Sequence, residues 1–216
     1  MLKKFFILLR EYKLAKILLQ MRFEGYLFET GWINSVKLKM PINKENKPIP
    51  WFSFSFNDFI ETRLNKTLKV FEYGSGNSTL YIAPKVNSIK SIEYDKNWMN
   101  YLKKNAPHNS EIIYCSYDNN NKNGEYCRII NSTNEKYDII IIDGRDRVNC
   151  CKNSIHNLSP FGVIIFDDSH EAKYEPIFNF LKDQSFKHID FSGLGSGYIH
   201  KKRTTLFYRS NNCFNI

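Results

Sequence analysis

The feature that most constrains this chain is an alternation of short strand and helix patterns that begins near residue 68. Its two most apolar strand candidates are Ile139-Ile140-Ile141-Ile142 and Val163-Ile164-Ile165-Phe166, and neither alternates between apolar and polar residues. Strands that are apolar on both sides are typical of parallel sheets covered by helices on both faces. The alternation therefore predicts a doubly wound α/β fold.

The periodicity also predicts where the elements lie. Strand candidates span residues 68–73, 88–94, 111–116, 137–143, 162–167, 186–191 and 204–208, and helical periodicity falls at 77–86, 96–105, 147–158 and 171–183. The last two strands leave no room for a helix between them, so we expect an antiparallel pair. The predicted fold is a Rossmann-like, doubly wound sheet of about seven strands, five parallel plus an antiparallel closing pair, with helices on both faces.

The first part of the chain has a different pattern. Residues 3–22 are predicted to form a basic amphipathic helix, which caps the core, packs on a partner subunit or lies on a membrane surface. Its apolar run is too short to span a bilayer or to act as a signal peptide. Residues 25–57 contain Pro41, Pro48 and Pro50 and are predicted to be an extended, aromatic arm. We expect residues 1–57 to pack on an α/β domain formed by residues 58–216.

Charge and cysteine content restrict the expected partners and cellular compartment of the chain. The net charge of +9 favours an anionic partner, but the lysines are scattered, which argues against a dedicated nucleic-acid surface. Five cysteines without a Cys-x-x-Cys pair indicate neither a disulfide framework nor a zinc site. We therefore expect a cytoplasmic protein, with peripheral contact to the inner face of a membrane through residues 1–22 and homo-oligomerisation both left open.

A glycine-containing turn follows the first strand of the alternation. The run Val70-Phe71-Glu72-Tyr73-Gly74-Ser75-Gly76-Asn77-Ser78-Thr79 reads as strand, turn and helix start, an arrangement that brings backbone close to a ligand. Thr79 stands where a dinucleotide fingerprint has its third glycine, which disfavours a pyrophosphate site. Glu72 suits a cationic amino acid and sulfonium better than a diphosphate.

A second carboxylate ends the next strand. Glu93 comes seventeen positions after Gly76, where a carboxylate is placed to accept both hydroxyls of a ribose, unless it is simply a solvated strand end. Asp95 is predicted to cap the helix that begins at Lys96. The predicted ligand-binding set is Glu72, Gly74, Ser75, Gly76, Ser78, Thr79, Glu93, Tyr94 and Asp143.

Three aspartates follow the fourth and fifth strands. Asp143 ends one strand, and Asp167 and Asp168 end the next, so their carboxylates are expected to share one volume. Such carboxylates repel unless a divalent cation holds them or one stays protonated. The alternative is that Asp168 caps the following helix and Asp143 closes a turn.

The order of these motifs resembles a known family. The segments Pro48–Phe52, Phe71–Leu80, Ile142–Arg145, Gly162–Asp168 and Thr204–Phe207 are similar to small bacterial class I S-adenosylmethionine-dependent methyltransferases found with polysaccharide and glycan biosynthesis genes. The similarity spans residues 25–208. It implies S-adenosylmethionine as cofactor and methyl transfer to a hydroxyl of a sugar or glycan intermediate. A methyltransferase for another small molecule and a non-catalytic Rossmann-like binding module remain alternatives.

Methyl transfer to a hydroxyl requires a base and a place for the acceptor. His170, Asp146 and Asp143 are the candidate bases. The aspartate set Asp143, Asp167 and Asp168 is similar to the metal ligands of Mg-dependent O-methyltransferases, which implies Mg²⁺ or Mn²⁺. Arg145, Arg147 and Arg203 either bind a phosphorylated or acidic acceptor or form ordinary salt bridges. Trp32, Trp51 and Tyr117 either wall the site or pack in the core, and core packing is the expectation.

Overall fold

Seven strands form one sheet in the computed structural model, which describes Lys4 and residues 11–216. The strands are β1 (Lys69–Tyr73), β2 (Ser88–Glu93), β3 (Ser110–Tyr114), β4 (Tyr137–Ile142), β5 (Leu158–Phe166), β6 (Lys187–Gly193) and β7 (Lys202–Tyr208). Their order is β3-β2-β1-β4-β5-β7-β6. The first five are parallel, and β7 runs antiparallel to both β5 and β6. The predicted fold class is confirmed.

The helices surround this sheet and include the four predicted in the α/β alternation. They are α1 (Tyr12–Gln20), α2 (Tyr26–Glu29), α3 (Trp32–Leu38), α4 (Phe54–Glu61), α5 (Asn77–Ile82), α6 (Lys96–Lys103), α7 (Glu125–Arg128), α8 (Arg147–Ser154) and α9 (Glu175–Asp183). Three of the predicted helices are shorter than expected because 3₁₀ turns occupy 83–85, 155–157 and 172–174. No helix in the described part of the chain combines the length and hydrophobicity that crossing a bilayer requires.

The strand β4 shows why its sequence does not alternate. Ile140 and Ile142 pack in the core on one face of the sheet, while Ile139 and Ile141 pack in the core on the other. Helices α8 and α9 contribute apolar side chains to the first core, and α4 and α5 contribute to the second. The four consecutive isoleucines of this strand are therefore all buried, whichever face of the sheet they occupy.

The arm is more helical than predicted. Instead of one extended segment, residues 25–57 contain α2, α3 and the first half of α4. The three prolines all fall within residues 39–53, the stretch between α3 and α4, so they interrupt neither of these helices. Helix α4 also crosses the predicted boundary at residue 57, and its Phe56 and Ile60 belong to the same core as Val70 of β1.

Hydrogen bonds attach the end of the arm to the sheet. The backbone N–H of Ser53 donates to Thr204 Oγ1 at 3.1 Å, and the N–H of Phe54 donates to the Leu194 carbonyl at 2.9 Å. The Asn77 amide donates to the Pro41 carbonyl at 2.7 Å. These bonds hold residues 39–54 beside the carboxyl ends of the strands. The arm therefore forms part of the rim of the crevice at that end of the sheet.

Candidate functional site

A cavity of about 740 Å³ opens at the carboxyl ends of β1, β2, β4 and β5. It includes the point between β1 and β4 where the strand order reverses, which is where open α/β sheets bind ligands. Most of the predicted ligand-binding residues line it, namely Gly74, Ser75, Gly76, Ser78, Glu93, Tyr94 and Asp143. The predicted strand ends thus meet in one volume.

Two glycines allow the ends of β1 and β4 to touch. Gly74 has φ +89°, and a Cβ at this position would lie 2.9 Å from Gly144 Cα. A Cβ at Gly144 would lie 2.1 Å from the Tyr126 hydroxyl and 3.0 Å from Gly74 N. A side chain at either residue would push the two turns apart. The glycines therefore fix the floor of the cavity.

Glu72 does not line the cavity, and the prediction that it contacts a ligand is wrong for this arrangement. Its side chain is fully buried and accepts hydrogen bonds from the hydroxyls of Ser78, Thr79 and Ser91. Burial raises the pKa of Glu72, although the three hydroxyl donors partly oppose the shift. Glu72 thus holds the first turn of α5 against β1 and β2.

Thr79 is the second residue of the predicted set that lies outside the cavity. It is fully buried, and its hydroxyl also accepts the Gly76 N–H at 3.0 Å. That bond and the one to Glu72 direct its hydroxyl at the protein rather than at the cavity. Its contribution is therefore to the shape of the glycine turn.

Glu93 does line the cavity, at the end of β2, and it is nearly buried. Its Oε1 accepts the N–H groups of Tyr94 and Asp95 at 2.9 and 2.8 Å, and its Oε2 accepts the Ser75 hydroxyl at 2.8 Å. The Ser75 N–H lies 3.3 Å from the same Oε2. Because a hydroxyl can rotate, Ser75 can release Oε2 to another donor. Asp95 caps α6 through Asn97 and Trp98, as predicted.

The three predicted aspartates come together at the other end of the cavity. Asp143, Asp167 and Asp168 each offer a carboxylate oxygen within 4.8 Å of the others. Two cationic side chains lie among them: Arg147, for which a salt bridge was one of the two expected roles, and Lys202, for which the sequence analysis predicted no role. Lys202 Nζ is 2.7 Å from both Asp167 Oδ2 and Asp168 Oδ1. Arg147 lies 3.0 Å from Asp143 and 3.2 Å from Asp168.

This charged cluster perturbs the titration of its members. Burial raises the pKa of Asp143, and the neighbouring Asp167 raises it further, while Arg147 opposes both. Burial also raises the pKa of Asp167 against the pull of Lys202. Burial alone would raise the pKa of Asp168, but Lys202 and Arg147 outweigh it and lower that pKa below its usual value. The cluster therefore holds one strongly anionic carboxylate, Asp168, beside two that retain protons more readily.

Two of the candidate bases lie outside the cavity. His170 lines a separate surface cleft of about 380 Å³ with Glu171, His188 and Arg203. Its position two residues after Asp168 does not bring it into the cavity, because the chain turns at Asp168, where φ is +53°. The prediction that His170 faces the reacting groups is therefore wrong for this structure.

Asp146 also faces away from the cavity. Its Oδ2 accepts the Asn123 N–H at 2.9 Å, and the Asn149 amide lies 2.9 Å from each of its carboxylate oxygens. These bonds hold the loop at 123 against the start of α8. Of the three candidate bases, Asp143 is the one that lines the cavity.

The predicted arginines and aromatic residues differ in whether they form salt bridges, line the cavity or pack in the core. Arg147 and Arg203 form salt bridges with aspartates, while Arg145 lines the cavity and hydrogen-bonds the Tyr94 hydroxyl. Trp51 lines the cavity and is 41% exposed, contrary to the expectation of core packing. Tyr117 packs against the core, as expected. Among the described residues, Arg145 makes no salt bridge to a carboxylate.

A wall formed by Trp51 and Tyr198 bounds the cavity near the charged cluster. The two ring centroids lie 5.9 Å apart at an interplanar angle of 58°. The Trp51 indole donates to the Ser196 carbonyl at 2.8 Å, and the Trp32 indole donates to the Tyr198 carbonyl at 2.8 Å. Lys202 Nζ lies 5.6 Å from the Tyr198 ring centroid. The indole bonds fasten the β6–β7 loop to the arm.

Several cavity residues escaped the sequence analysis, namely Lys39, Met40, Pro41, Asn77, Trp98, Tyr198 and Lys202. Asn77 and Trp98 adjoin predicted motifs, so their proximity was the available signal. Lys202 lies in the basic run 201–203, where lysines are expected to be exposed, but it is only 6% exposed. Lys202 is the first residue of β7, and it reaches the two aspartates that follow β5 because β7 pairs antiparallel with β5.

Several solved structures with the same fold are described as methyltransferases. An rRNA methylase from Streptococcus thermophilus aligns with a TM-score of 0.52 and 13% identity over 70% of this chain and 92% of its own. A precorrin-6y C5,15-methyltransferase from Geobacter metallireducens aligns at 0.54 and 13%, over 70% and 86%. A Streptococcus mutans methyltransferase in complex with S-adenosylhomocysteine aligns at 0.51 and 14%, over 70% and 94%.

These identities establish the fold alone: the chain has the fold of class I S-adenosylmethionine-dependent methyltransferases. No protein-family model matches the sequence, and no curated protein matches it significantly.

Proposed function

We propose, from a fold shared with class I methyltransferases, that this chain transfers a methyl group from S-adenosylmethionine to a hydroxyl of a sugar or glycan intermediate. The observation that carries the proposal is the single cavity at the β1–β4 switch point, which joins Glu93 and the glycine turn to the charged cluster. Such a cavity has one end suited to a nucleoside and another end suited to a polar acceptor.

The cofactor end is the part formed by the glycine turn. Gly74 and Gly76 leave the backbone bare, so a ligand can approach the end of β1 closely. Glu93 is the carboxylate at this end, and Ser75 is the donor that a ribose hydroxyl would replace on Oε2. Asp143, Gly74 and Gly144 meet at the floor, between the nucleoside end and the charged cluster.

Asp143 is the base that this arrangement favours. It faces the cavity, and its raised pKa makes it a better proton acceptor than an ordinary aspartate. An alcohol is a poor nucleophile while it keeps its proton, so a carboxylate near the methyl donor speeds the displacement. Arg147, 3.0 Å from Asp143, fixes the orientation of the carboxylate.

A divalent metal does not fit the charged cluster as it is arranged. The carboxylate oxygens that would ligate a cation already face Lys202 at 2.7 Å and Arg147 at 3.0 and 3.2 Å. A cation placed among them would lie beside the ammonium and the guanidinium and be repelled by both. We therefore propose that Lys202 and Arg147 neutralise the aspartates, and we assign no step of the reaction to a metal.

The acceptor end is bounded by the aromatic wall and by basic groups. Trp51 and Tyr198 offer ring faces on which the C–H side of a sugar can stack, and Asp168 offers a carboxylate for its hydroxyls. Arg145 and Lys39 line the same cavity and suit a phosphorylated or acidic acceptor. These features support a sugar acceptor, with or without a phosphate.

Transfer of labelled methyl from S-adenosylmethionine tests the proposal. We expect label to enter a member of a panel of monosaccharides, sugar phosphates and nucleotide sugars, and turnover to continue in EDTA. Asp143→Asn should lower this turnover by roughly 10²- to 10⁴-fold while cofactor affinity stays close to wild type. The wild-type rate should rise with pH as Asp143 loses its proton, and that rise should vanish in Asp143→Asn.

Specific results contradict each part. Label that enters RNA or a non-sugar small molecule, and no sugar, overturns the acceptor class. Loss of turnover in EDTA, with recovery in Mg²⁺, would show that the charged cluster does bind a metal. Full turnover by Asp143→Asn removes Asp143 as the base.

A further inference from the structure

Helix α1 leaves its apolar side uncovered. None of its residues is buried. The large apolar side chains of the helix and of the turn after it are mostly exposed, at 72% for Tyr12, 48% for Leu14, 56% for Ile17, 52% for Leu18, 62% for Leu19 and 65% for Phe23. A cluster of exposed apolar side chains of this size marks an interaction surface. The expectation that this helix caps the core is therefore wrong for residues 12–20.

The opposite side of α1 is basic. At about 100° per residue, Lys13, Lys16 and Gln20 fall within roughly 60° of one another, and Leu14 and Leu18 lie on the far side. In sequence, residues 1–22 contain six lysines and arginines and a single carboxylate, Glu11. The occupant of this surface must therefore accept apolar side chains and offer negative charge beside them.

An anionic bilayer surface offers both features. A second copy of this chain could cover the apolar side chains, but its own segment is equally basic and offers no negative charge to Lys13 and Lys16. Lipid phosphates attract lysines, while the acyl region just below them takes apolar side chains.

We propose that α1 lies along the surface of an anionic membrane, with Leu14 and Leu18 in the interfacial region and Lys13 and Lys16 against lipid phosphates. No described helix is suited to cross the bilayer, so this contact is peripheral. The proposal concerns the location of the chain and does not depend on the reaction proposed above.

Co-sedimentation of the full-length chain with vesicles tests this. The vesicles are phosphatidylcholine alone or with about 30% phosphatidylglycerol. We expect binding to the anionic vesicles that weakens with salt and little binding to the neutral ones. Lys13→Gln with Lys16→Gln should weaken binding roughly thirtyfold, since each basic residue near the surface contributes about 1 kcal/mol. Leu14→Ser with Leu18→Ser should weaken it at least about tenfold.

Matched variants control for charge and hydrophobicity elsewhere. Lys103→Gln with Lys104→Gln removes two exposed lysines after α6 and at its end, and Phe161→Ser with Tyr114→Ser removes two exposed aromatic residues. Both pairs should bind vesicles like the wild type. Because no residue of α1 is buried, the α1 variants should keep the wild-type melting temperature.

Three outcomes overturn the proposal. Equal binding to both vesicle types would show that anionic lipid is not what the chain recognises. If the control pairs weaken binding as much as the α1 pairs do, α1 is not the membrane-binding surface. Light scattering that shows a dimer dissociated by Leu14→Ser with Leu18→Ser, without vesicle binding, assigns the surface to a second copy.

Discussion

Two glutamates at the ends of neighbouring strands differ in what they reach. Glu93 lines the cavity, while Glu72 is buried behind it under three hydroxyl groups. The sequence predicts that both lie at strand ends, because each closes an apolar run. It does not predict the direction of Glu72, which depends on hydroxyls contributed by α5 and β2. Local pattern places such residues, and tertiary packing decides what they contact.

The burial of Glu72 leads to a prediction about stability and pH. Because its pKa is raised in the folded chain, the native state keeps this proton to higher pH than the unfolded chain, where the value is about 4.3. The stability that Glu72 contributes is therefore greatest below that value and is lost as the pH rises. We expect the free energy of unfolding of the wild type, measured in urea, to fall relative to that of Glu72→Gln between about pH 4 and pH 8.

Glu45→Gln is the control for that comparison, since its carboxylate is half-exposed and its one salt bridge to a described residue is a long contact of 3.9 Å with Lys44 Nζ. The difference between wild type and Glu45→Gln should stay constant over the same pH range. A wild-type advantage over Glu72→Gln that grows with pH would show that Glu72 is ionised more easily in the native state than in the unfolded one.

At the scale of elements, β7 is the strand that completes the charged cluster. Its antiparallel pairing with β5 sets Thr205 beside Phe166 and brings Lys202 to Asp167 and Asp168. The sequence predicts the antiparallel pair from the short connection. It cannot predict which residue of β7 faces the aspartates, because that depends on the register between strands distant in sequence.

Removal of the Lys202 ammonium should destabilise the fold. We expect Lys202→Met to lower the free energy of unfolding by about 3–5 kcal/mol, because it leaves the buried Asp167 and the partly exposed Asp168 without their nearest cation. Lys201→Met is the matched control. The Lys201 side chain is exposed, so its replacement should change the free energy of unfolding by less than about 0.5 kcal/mol. Urea denaturation measures both.

A second substitution tests the cause of that loss. Asp168→Asn in the Lys202→Met background removes one uncompensated charge and should recover part of the lost stability. If Lys202→Met is as stable as Lys201→Met, or if Asp168→Asn lowers stability further, the cluster is not held together by Lys202.

At the scale of the whole molecule, the arm and the sheet build one cavity from segments far apart in sequence. The parallel strands with their antiparallel closing pair, the glycine turn and the convergence of Asp143 with Asp167 follow from the sequence, because parallel strands end at one edge of a sheet. The aromatic wall does not, because Trp51 and Tyr198 meet only through hydrogen bonds between the arm and the β6–β7 loop. Most of the residues predicted around the glycine turn therefore line the cavity, and so do the three predicted aspartates, whereas the pairing of Trp51 with Tyr198 was not predicted.

The central claim is that the glycine turn and Glu93 bind S-adenosylmethionine, and calorimetry with its product S-adenosylhomocysteine tests it most directly. We predict that the wild type binds one equivalent. Glu93→Ala should bind at least about tenfold more weakly, because it loses charge-assisted hydrogen bonds to the ribose, while its melting curve still shows a folded protein. No binding by the wild type, or unchanged affinity in folded Glu93→Ala, would contradict the assignment.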